Sequence, residues 1–591
     1  MTSYTAPLAD LAFLLNEVLE VGRLRAIPAF AGVDADVIGS VLAGGARFSQ
    51  EVLSPLNAAG DAHGAALIDG RVEYPPGFAA AYAQYAEDGW IGIDLPERVG
   101  GQGLPRLVQA AIAEMSNGAN LAFSMLPVTV RAAARLLLAH AGEELVSRYV
   151  PSMIEGSCVA TIAISESQAG SDVGRIQTAA HPQADGTYKL TGTKIFISNG
   201  DNEYSRQIAH MVLARTPGAA PGTRGISLFL VPKFAGMEAG VGAGARRRNG
   251  VRVARLEHKM GLKASPTCVV EFQDADGVRI GTEGRGLQAM FAMVNTMRLE
   301  VAVQGVAIAA AATARAIRHA LERLQGGTPT ERPPPIIRHP DVRRMLLTMR
   351  ARSEALRALT YEAALQLDIG ENDPDPDAAA RALGLAQFLL PICKAYGTDT
   401  GLDIASLGLQ VFGGYGYIRD TGMEQYIRDV RVGSIYEGTN GIQAVDLVTR
   451  KLIADRAARL RELLARIRAD IDAARADASI AVIGDAVAQG ADWLERASDG
   501  MLELADQGRG ADVEAGAVAF LRLAGLVGGG WMWLRMAARA TGASDFYCSK
   551  RICAEFYARS LLPEAELLMR QSLLGEGRAA ELTAEHWLAG L

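Results

Sequence analysis

The residues best equipped for chemistry lie between Gln410 and Gln443, in the stretch QVFGGYGYIRDTGMEQYIRDVRVGSIYEGTNGIQ. Phe412-Gly413-Gly414-Tyr415-Gly416-Tyr417 sets three glycines among aromatics, so backbone amides can approach a ligand while flat side chains wall the site. A planar, phosphate-bearing ligand suits such a surface. Further on, Ile435-Tyr436 delivers Glu437 into Gly438-Thr439-Asn440-Gly441, and the spacing of Ile442, Val445, Leu447 and Val448 predicts a helix from there. A carboxylate on such a bend can face a cavity. Taken alone it also reads as a cap on the coming helix, and the Gly-rich stretch as a turn beside a core.

These residues need a frame. Leu8 to Val21 is an apolar, helix-like stretch that reads as an appended arm over residues 1–35. From Asp34 to Gly156 apolar residues recur near a 3.6 period. Between Cys158 and Ile280 the pattern changes to short β-branched runs such as Val159–Ile164, Lys194–Ile197, Ile226–Val231 and Thr267–Phe272, with Asp185-Gly186 and Asn199-Gly200 as turn signals. This predicts an all-β middle domain. The helical period then returns, with a long helix over Leu287 to Leu324 whose alanines permit close packing, two more helices, and a mixed-charge helical tail after Arg450. The expected divisions are 1–35, 36–157, 158–281, 282–450 and 451–591.

A chain of 591 residues is too long for one core, and 49% hydrophobic residues give ample material for several. A net charge of −7 supplies no long-range attraction for nucleic acid or an anionic membrane. The five cysteines are scattered without a CxxC pair, which argues against disulfide scaffolding and structural zinc and fits a reducing cytoplasm; no metal is expected. The N-terminus lacks the pattern of a signal peptide, and the apolar run Leu523 to Leu534 reads as too short to span a bilayer.

In their joint order, YGYIRD, the Arg428-Asp429-Val430-Arg431 step and IYEGTNGIQ resemble the signature of the acyl-CoA dehydrogenase family. The resemblance spans nearly the whole chain and is most specific from Cys158 to Arg450. The arm, the long tail and the strings ISNGD, EHKMGLKASPTC and HPDVRRMLL resemble the branch that includes 3-methylmercaptopropionyl-CoA dehydrogenases. The resemblance implies an α+β multidomain fold: an N-terminal all-α domain, a middle β-barrel or sandwich, a C-terminal four-helix bundle and an extra helical domain. It also implies FAD as cofactor, an acyl-CoA substrate, an electron-transfer flavoprotein as partner, and a homodimer that binds cofactor across its interface.

Residue by residue, the resemblance makes Glu437 the base that removes the substrate α-proton. Burial against substrate should raise its pKa. The thioester carbonyl would be polarised by the backbone N–H of Glu437 and a flavin hydroxyl, with Tyr436 and Gly438 beside the substrate and Thr439 beside the flavin. Ser165-Glu166-Ser167-Gln168-Ala169-Gly170-Ser171-Asp172 is similar to the family loop TEPGAGSD, with Ser167-Gln168 in place of Pro-Gly. It implies flavin contacts at Ile162, Ile164 and Ser165, and a flavin or acyl-CoA contact at Ser171. In Lys194-Ile195-Phe196-Ile197-Ser198, Phe196 stands where relatives often have Trp, keeping a π face, and Ser198 keeps a hydroxyl.

Arg323, Gln410, Gly413 and Gly414 match positions that hold the far half of a neighbouring subunit's flavin. The family step Arg-x-x-Phe-Gly is broken here, because Leu324-Gln325-Gly326 follows Arg323 and the aromatic is gone. Arg298 would hold acyl-CoA or else pair on its helix. Met297, the residue before it, offers no competing carboxylate. Arg450 is a weaker match for CoA, and Arg246-Arg247-Arg248 reads first as a solvated loop. The Gly-rich Leu523 to Trp533 reads as a buried tail helix covering a groove that a second dimer would fill in shorter relatives. Two readings stand beside dehydrogenation: an oxidase that uses oxygen directly, and a nucleic-acid-binding member of the same fold.

Overall fold

The switch of hydrophobic period near residue 158 marks the passage from helices to a closed sheet. The computed structural model describes residues 4–235 and 247–590. The chain forms two compact units, one drawn from Met1–Ala6 and Ser40–Glu300, the other from Pro7–Gly39 and Val301–Leu591.

Counting along the chain, α1 (Leu8–Phe13) lies in the second unit, and α2 (Ala35–Phe48) starts in the second and ends in the first. The first unit continues with α3 (Ser54–His63), the small ribbon β1 (Ala66–Ile68) and β2 (Arg71–Glu73), α4 (Phe78–Glu87), α5 (Arg106–Ala119), α6 (Leu121–His140) and α7 (Glu143–Ile154). Phe48, Tyr85 and Phe123 meet edge to face in its helical core. The strands follow: β3 (Cys158–Ala163), β4 (Ala179–Pro182), β5 (Tyr188–Ser198), β6 (Gln207–Arg215), β7 (Ile226–Pro232), the short β8 (Phe234–Ala235) and β9 (Arg247–Arg248), β10 (Val251–Leu256) and β11 (Thr267–Ile280).

The sheet runs β10-β11-β5-β4-β6-β3, and β7 pairs with both β11 and β6. That double pairing closes a barrel and leaves few free edges. Leu190, Ile197, Val212, Phe229, Val270 and Phe272 fill it. β6 and β7 are buried along nearly their whole length rather than alternately, as strands covered on both faces are. The Asp185-Gly186 turn joins β4 to β5 as an antiparallel hairpin. Asn199-Gly200 ends β5 but joins no hairpin, because β6 pairs with β3, β4 and β7 instead.

The long helix α8 (Gly286–Glu322) runs from the first unit into the second. There α9 (Pro340–Asn372) and α10 (Pro376–Phe412) pack along each other, followed by α11 (Gly414–Tyr417), α12 (Met423–Val430) and α13 (Asn440–Asp446). The tail forms α14 (Ala458–Ala474), α15 (Ala478–Asp506), α16 (Gly510–Arg539), α17 (Asp545–Phe556), α18 (Glu564–Ser572) and α19 (Ala584–Leu588). Residues Leu523 to Leu534 are all buried within α16. A Cβ on Gly525 would come within 2.5 Å of the Tyr396 ring, so glycine sets how closely α16 lies on α10.

Residues 7–39 pack on this tail. Phe13 meets Phe546 edge to face, and the fully buried Lys550 bridges Asp10 at 2.6 Å and Glu354 at 2.7 Å. One expectation is corrected. α6, α8, α10 and α16 are long and apolar enough to cross a membrane by length and composition, and 61–89% of their most apolar windows are buried within the protein. The run at Leu523 is part of a 30-residue helix and is not short.

Candidate active site

Glu437 is carried by a turn between a 3-10 turn at Arg431–Ser434 and α13. Its φ is +55° and that of Gly438 is +83°. The left-handed region costs a residue with a side chain about 1–3 kcal/mol and persists where the surroundings over-determine it. Here Gln443 Nε2 donates to the Glu437 carbonyl at 3.1 Å, and Lys394 Nζ to the Gly438 carbonyl at 2.7 Å. Thr439 Oγ1 accepts from the Ile442 N–H at 3.3 Å, so Thr439 is the residue that caps α13 and Glu437 is not. The Tyr436 hydroxyl donates to Gln304 Oε1 on α8. Burial and then the neighbouring Glu437 carboxylate push the Tyr436 phenol well above its ordinary value.

In the same unit a cleft of about 490 Å³ opens beside the Gly-rich stretch, lined among others by His319, Arg323, Phe412, Gly413, Gly414 and Tyr415. Gly413 has φ +61°, and a Cβ on either glycine would point into open space. His319 stacks on Phe412 with ring centres 4.0 Å apart, and the Arg323 guanidinium lies 5.5 Å over the Tyr415 ring. Burial first, then Arg323, lower the His319 pKa from its ordinary value. Arg323 thus meets an aromatic face from α11. Gln410 lies exposed in the last turn of α10, where its carbonyl accepts from the Gly413 N–H at 3.0 Å.

The first unit holds the other predicted cofactor residues. Between the pairs Cys268–Ile197 and Val270–Lys194, two residues of β5, Ile195 and Phe196, oppose the single Val269 of β11. This bulge, with Phe196 at φ +59°, turns the ring outward and leaves it 64% exposed. The Ile195 N–H donates to the Ser165 carbonyl at 2.9 Å, so the strand and the loop Ser165–Asp172 are fastened together. Beneath them Lys194 Nζ donates to Glu166 Oε1 at 2.8 Å and to the Ile164 carbonyl at 2.9 Å. Glu166 also accepts from the N–H groups of Gln177 and Thr178 and from the Thr178 hydroxyl, at 2.6–3.0 Å. Burial alone would raise the Glu166 pKa; Lys194 and these donors bring it down to about 2. Burial pulls Lys194 down to about 8 against the opposing pull of Glu166. The several bonds to Glu166 make its carboxylate the secure charge of the pair. Ile162, Ile164, Ser165 and Ser198 are half-buried around this junction, and Ser171 is exposed at the loop's far end.

Arg298 is buried on α8 with its guanidinium 6.0 Å over the Phe291 ring. Two residues on, Glu300 is also buried, but it pairs with Arg131 at 2.5 Å, which leaves it committed to the core. Arg450 pairs with Asp446 at 2.5 Å, one helical turn away. Of the basic run, Arg247 pairs with Asp276 and Arg248 with Asp201 and Glu203; Arg246 lies outside the described residues.

Several residues that shape these sites escaped the sequence reading. Lys394 is a lone cation in the apolar string FLLPICKAYG, and Lys194 shares strand parity with the buried Leu190; each departs from its pattern, which was the available signal. Glu166 stood inside a quoted loop with no role given to it; Gln304, His319 and the pairing of Tyr415 with Arg323 carried no such mark.

Each unit holds donors that fit one part of a flavin dinucleotide. One unit offers an outward aromatic face beside a loop of hydroxyls and amides; the other offers a guanidinium, two open glycines and stacked rings, which suit phosphate and a flat base.

Four family models match successive parts of the chain: acyl-CoA dehydrogenase, N-terminal domain, over residues 46–157; middle domain, 161–275; C-terminal domain, 284–453; and acetyl-CoA dehydrogenase C-terminal like, 463–582. A 3-methylmercaptopropionyl-CoA dehydrogenase of Ruegeria pomeroyi is 38% identical over 575 residues, covering 95% of this chain and 96% of its own. A broad-specificity linear acyl-CoA dehydrogenase of Mycobacterium tuberculosis is 33% identical over 595 residues, with coverage of 95% and 96%. Among solved structures, Caenorhabditis elegans ACDH-11 in complex with C11-CoA superposes with a TM-score of 0.79 at 20% identity, over 100% of this chain and 96% of that one.

Proposed function

The chain belongs to the acyl-CoA dehydrogenase family, and we propose that it desaturates 3-methylmercaptopropionyl-CoA or a similar short acyl-CoA, with Glu437 as the base. It is an FAD-dependent oxidoreductase. The observation that carries the reaction is the left-handed Glu437 turn, restrained through both neighbouring carbonyls. The name and full-length similarity of the Ruegeria relative support the substrate.

An acyl-CoA α-proton is a weak acid, so its removal needs a carboxylate held over it and a donor on the thioester oxygen. Glu437 takes the proton onto its carboxylate. Its own backbone N–H polarises the carbonyl, a type of contact worth about 3–4 kcal/mol. Tyr436, with its hydroxyl engaged by Gln304 and held protonated by burial, offers the substrate an apolar wall. FAD, when bound, supplies the acceptor for the hydride that leaves the β-carbon. Ser165, Ser171, Phe196 and Ser198 would hold its flavin half, with Ile162, Ile164 and Thr439 beside it. Arg323, Gln410, Gly413 and Gly414 of a second copy would hold the remainder, which makes the working form a homodimer. Arg298 and Gly438 complete the acyl-CoA contacts, and electrons pass on to an electron-transfer flavoprotein.

Anaerobic bleaching of the purified flavoprotein by acyl-CoAs from short to long tests this. Rapid bleaching by 3-methylmercaptopropionyl-CoA, absent in Glu437→Gln, is expected. Bleaching that survives in Glu437→Gln overturns the base, and a preference for long linear chains overturns the substrate. Faster turnover with oxygen than with an electron-transfer flavoprotein would make it an oxidase.

A further inference from the structure

One buried cation next to the Glu437 turn has no part in the chemistry derived above. Lys394 lies inside α10, its side chain removed from solvent. Its ammonium donates to the Gly438 carbonyl at 2.7 Å and to Asn440 Oδ1 at 2.9 Å. Asn440 Nδ2 returns bonds to the same helix, to the Ala395 carbonyl at 3.1 Å, Thr398 Oγ1 at 3.0 Å and Asp399 Oδ1 at 2.7 Å. The Thr398 hydroxyl in turn reaches the Lys394 carbonyl at 2.9 Å. Fewer than two helical turns, residues 394–399, therefore grip the chain immediately after Glu437 at two points.

Burying an ammonium is unfavourable unless its donors are well used. Here they are used on the catalytic turn. Gly438 takes its left-handed angle freely, but Glu437 before it does not, and something outside the turn must hold it there. Gln443 Nε2 holds the first carbonyl at 3.1 Å and reaches the second at 3.4 Å, while Lys394 makes the short bond to the second at 2.7 Å. With the Lys394 bond lost, the Gly438 carbonyl keeps only the longer Gln443 contact, Glu437 can relax toward negative φ, and the direction in which its Cα projects the carboxylate changes.

We propose that Lys394 is a positioning residue for the Glu437 base: its ammonium pins the Gly438 carbonyl and, through Asn440, the start of α13, fixing the backbone that aims the carboxylate. The role rests on Glu437 being the base. It predicts that Lys394 affects turnover more than substrate binding, since Lys394 touches no acyl-CoA contact except through the Gly438 backbone.

The test compares Lys394→Met, which keeps the length and apolar stem, with Glu437→Gln and the wild-type holoenzyme. In Lys394→Met kcat should fall by about ten-fold or more, with a smaller change in KM and unchanged flavin content, the size expected when a reacting group is displaced by a fraction of an ångström to one ångström. Amide hydrogen exchange, read with no substrate present, should rise about ten-fold over residues 438–443 while α9 keeps its wild-type protection. If Glu437→Gln is inert but Lys394→Met matches the wild type in kcat and exchange, the positioning role is overturned and the base stands. If Glu437→Gln remains active, the base itself is lost. Exchange that rises throughout the second unit, or kcat that falls only with flavin content, assigns Lys394 to general stability and overturns the proposal. Should Lys394→Met fail to fold, Asn440→Ala leaves the cation in place and removes its second hold; a smaller loss of kcat with faster exchange over 438–443 supports the role, and wild-type values overturn it.

Discussion

The Lys194 ammonium stands 2.8 Å from Glu166 Oε1, with both side chains buried, and so ties β5 to the loop that carries Ser165 and Ser171. Neither charge faces the open side where Phe196 projects; together they set the distance between the two segments proposed to meet the flavin. Removing one partner of a buried pair leaves the other uncompensated, at about 3–5 kcal/mol. Glu166→Gln should lower apoprotein stability by about that amount in denaturant titration. An unchanged midpoint would show that the hydrogen bonds alone hold the junction.

The same carboxylate gives an acid dependence. The folded-state pKa of Glu166, about 2, lies below the unfolded value of about 4.3. As pH falls through this window the unfolded chain takes up the proton first. The stability contributed by Glu166 is therefore complete above about pH 4.3 and is lost progressively toward pH 2. Unfolding free energies across that range should fall less steeply for Glu166→Gln than for the wild type; parallel curves would refute the assignment.

Phe196 combines an outward ring with a backbone angle that suits glycine. Phe196→Gly should leave apoprotein stability unchanged or slightly raised, because relief of left-handed strain, about 1–2 kcal/mol, offsets the glycine's extra freedom when unfolded. Flavin affinity should move the opposite way, falling about ten-fold with the loss of one aromatic face. A core residue would lose stability instead, so the two readouts separate the roles.

Lys550 joins Asp10 to Glu354, and its ammonium also sits 4.9 Å from the Phe546 ring and 5.4 Å from the Phe13 ring. Burial alone would raise the Asp10 pKa, but Lys550 and Arg357 hold it below its ordinary value. Lys550→Met keeps the volume and takes the shared cation from both carboxylates, costing about 3 kcal/mol, the low end for such pairs because Arg350 and Arg357 remain beside them. Limited proteolysis should then release residues 7–39 sooner than in the wild type. Equal cleavage rates would mean that the aromatic contacts suffice.

How far the chain could be read from residues alone depends on whether a feature is local. The switch of period at Cys158, the long apolar helix before Leu324 and the break at Gly438 are written in consecutive residues, and each appears where expected. The closure of the barrel is not, because β7 finds β11 and β6 through register over tens of residues. The packing of residues 7–39 on α17 was equally hidden; an apolar arm shows that it must be covered but not by what. At the site, Glu437 was marked by its motif, whereas Lys394, 43 positions earlier, acquires its meaning only when α10 passes beneath the turn. The contact of Arg323 with Tyr415 is of the same long-range kind.

That contact gives the last prediction. The Arg323 guanidinium over Tyr415, with the His319–Phe412 stack and the open glycines Gly413 and Gly414, offers charge and flat faces to the adenylate half of a dinucleotide. FMN lacks that half. Arg323→Leu should therefore weaken FAD binding about ten- to a hundred-fold, the worth of a charge-assisted contact of roughly 1.5–3 kcal/mol, while FMN binding to the same apoprotein stays at its wild-type value. Tyr415→Leu should produce a smaller loss with the same selectivity. Fluorescence titration of the apoproteins with both flavins at low and high salt checks this. The FAD preference should also shrink with salt in the wild type and be salt-independent in Arg323→Leu. Equal weakening of FAD and FMN would place Arg323 in the framework of the second unit and leave the cleft without its nucleotide.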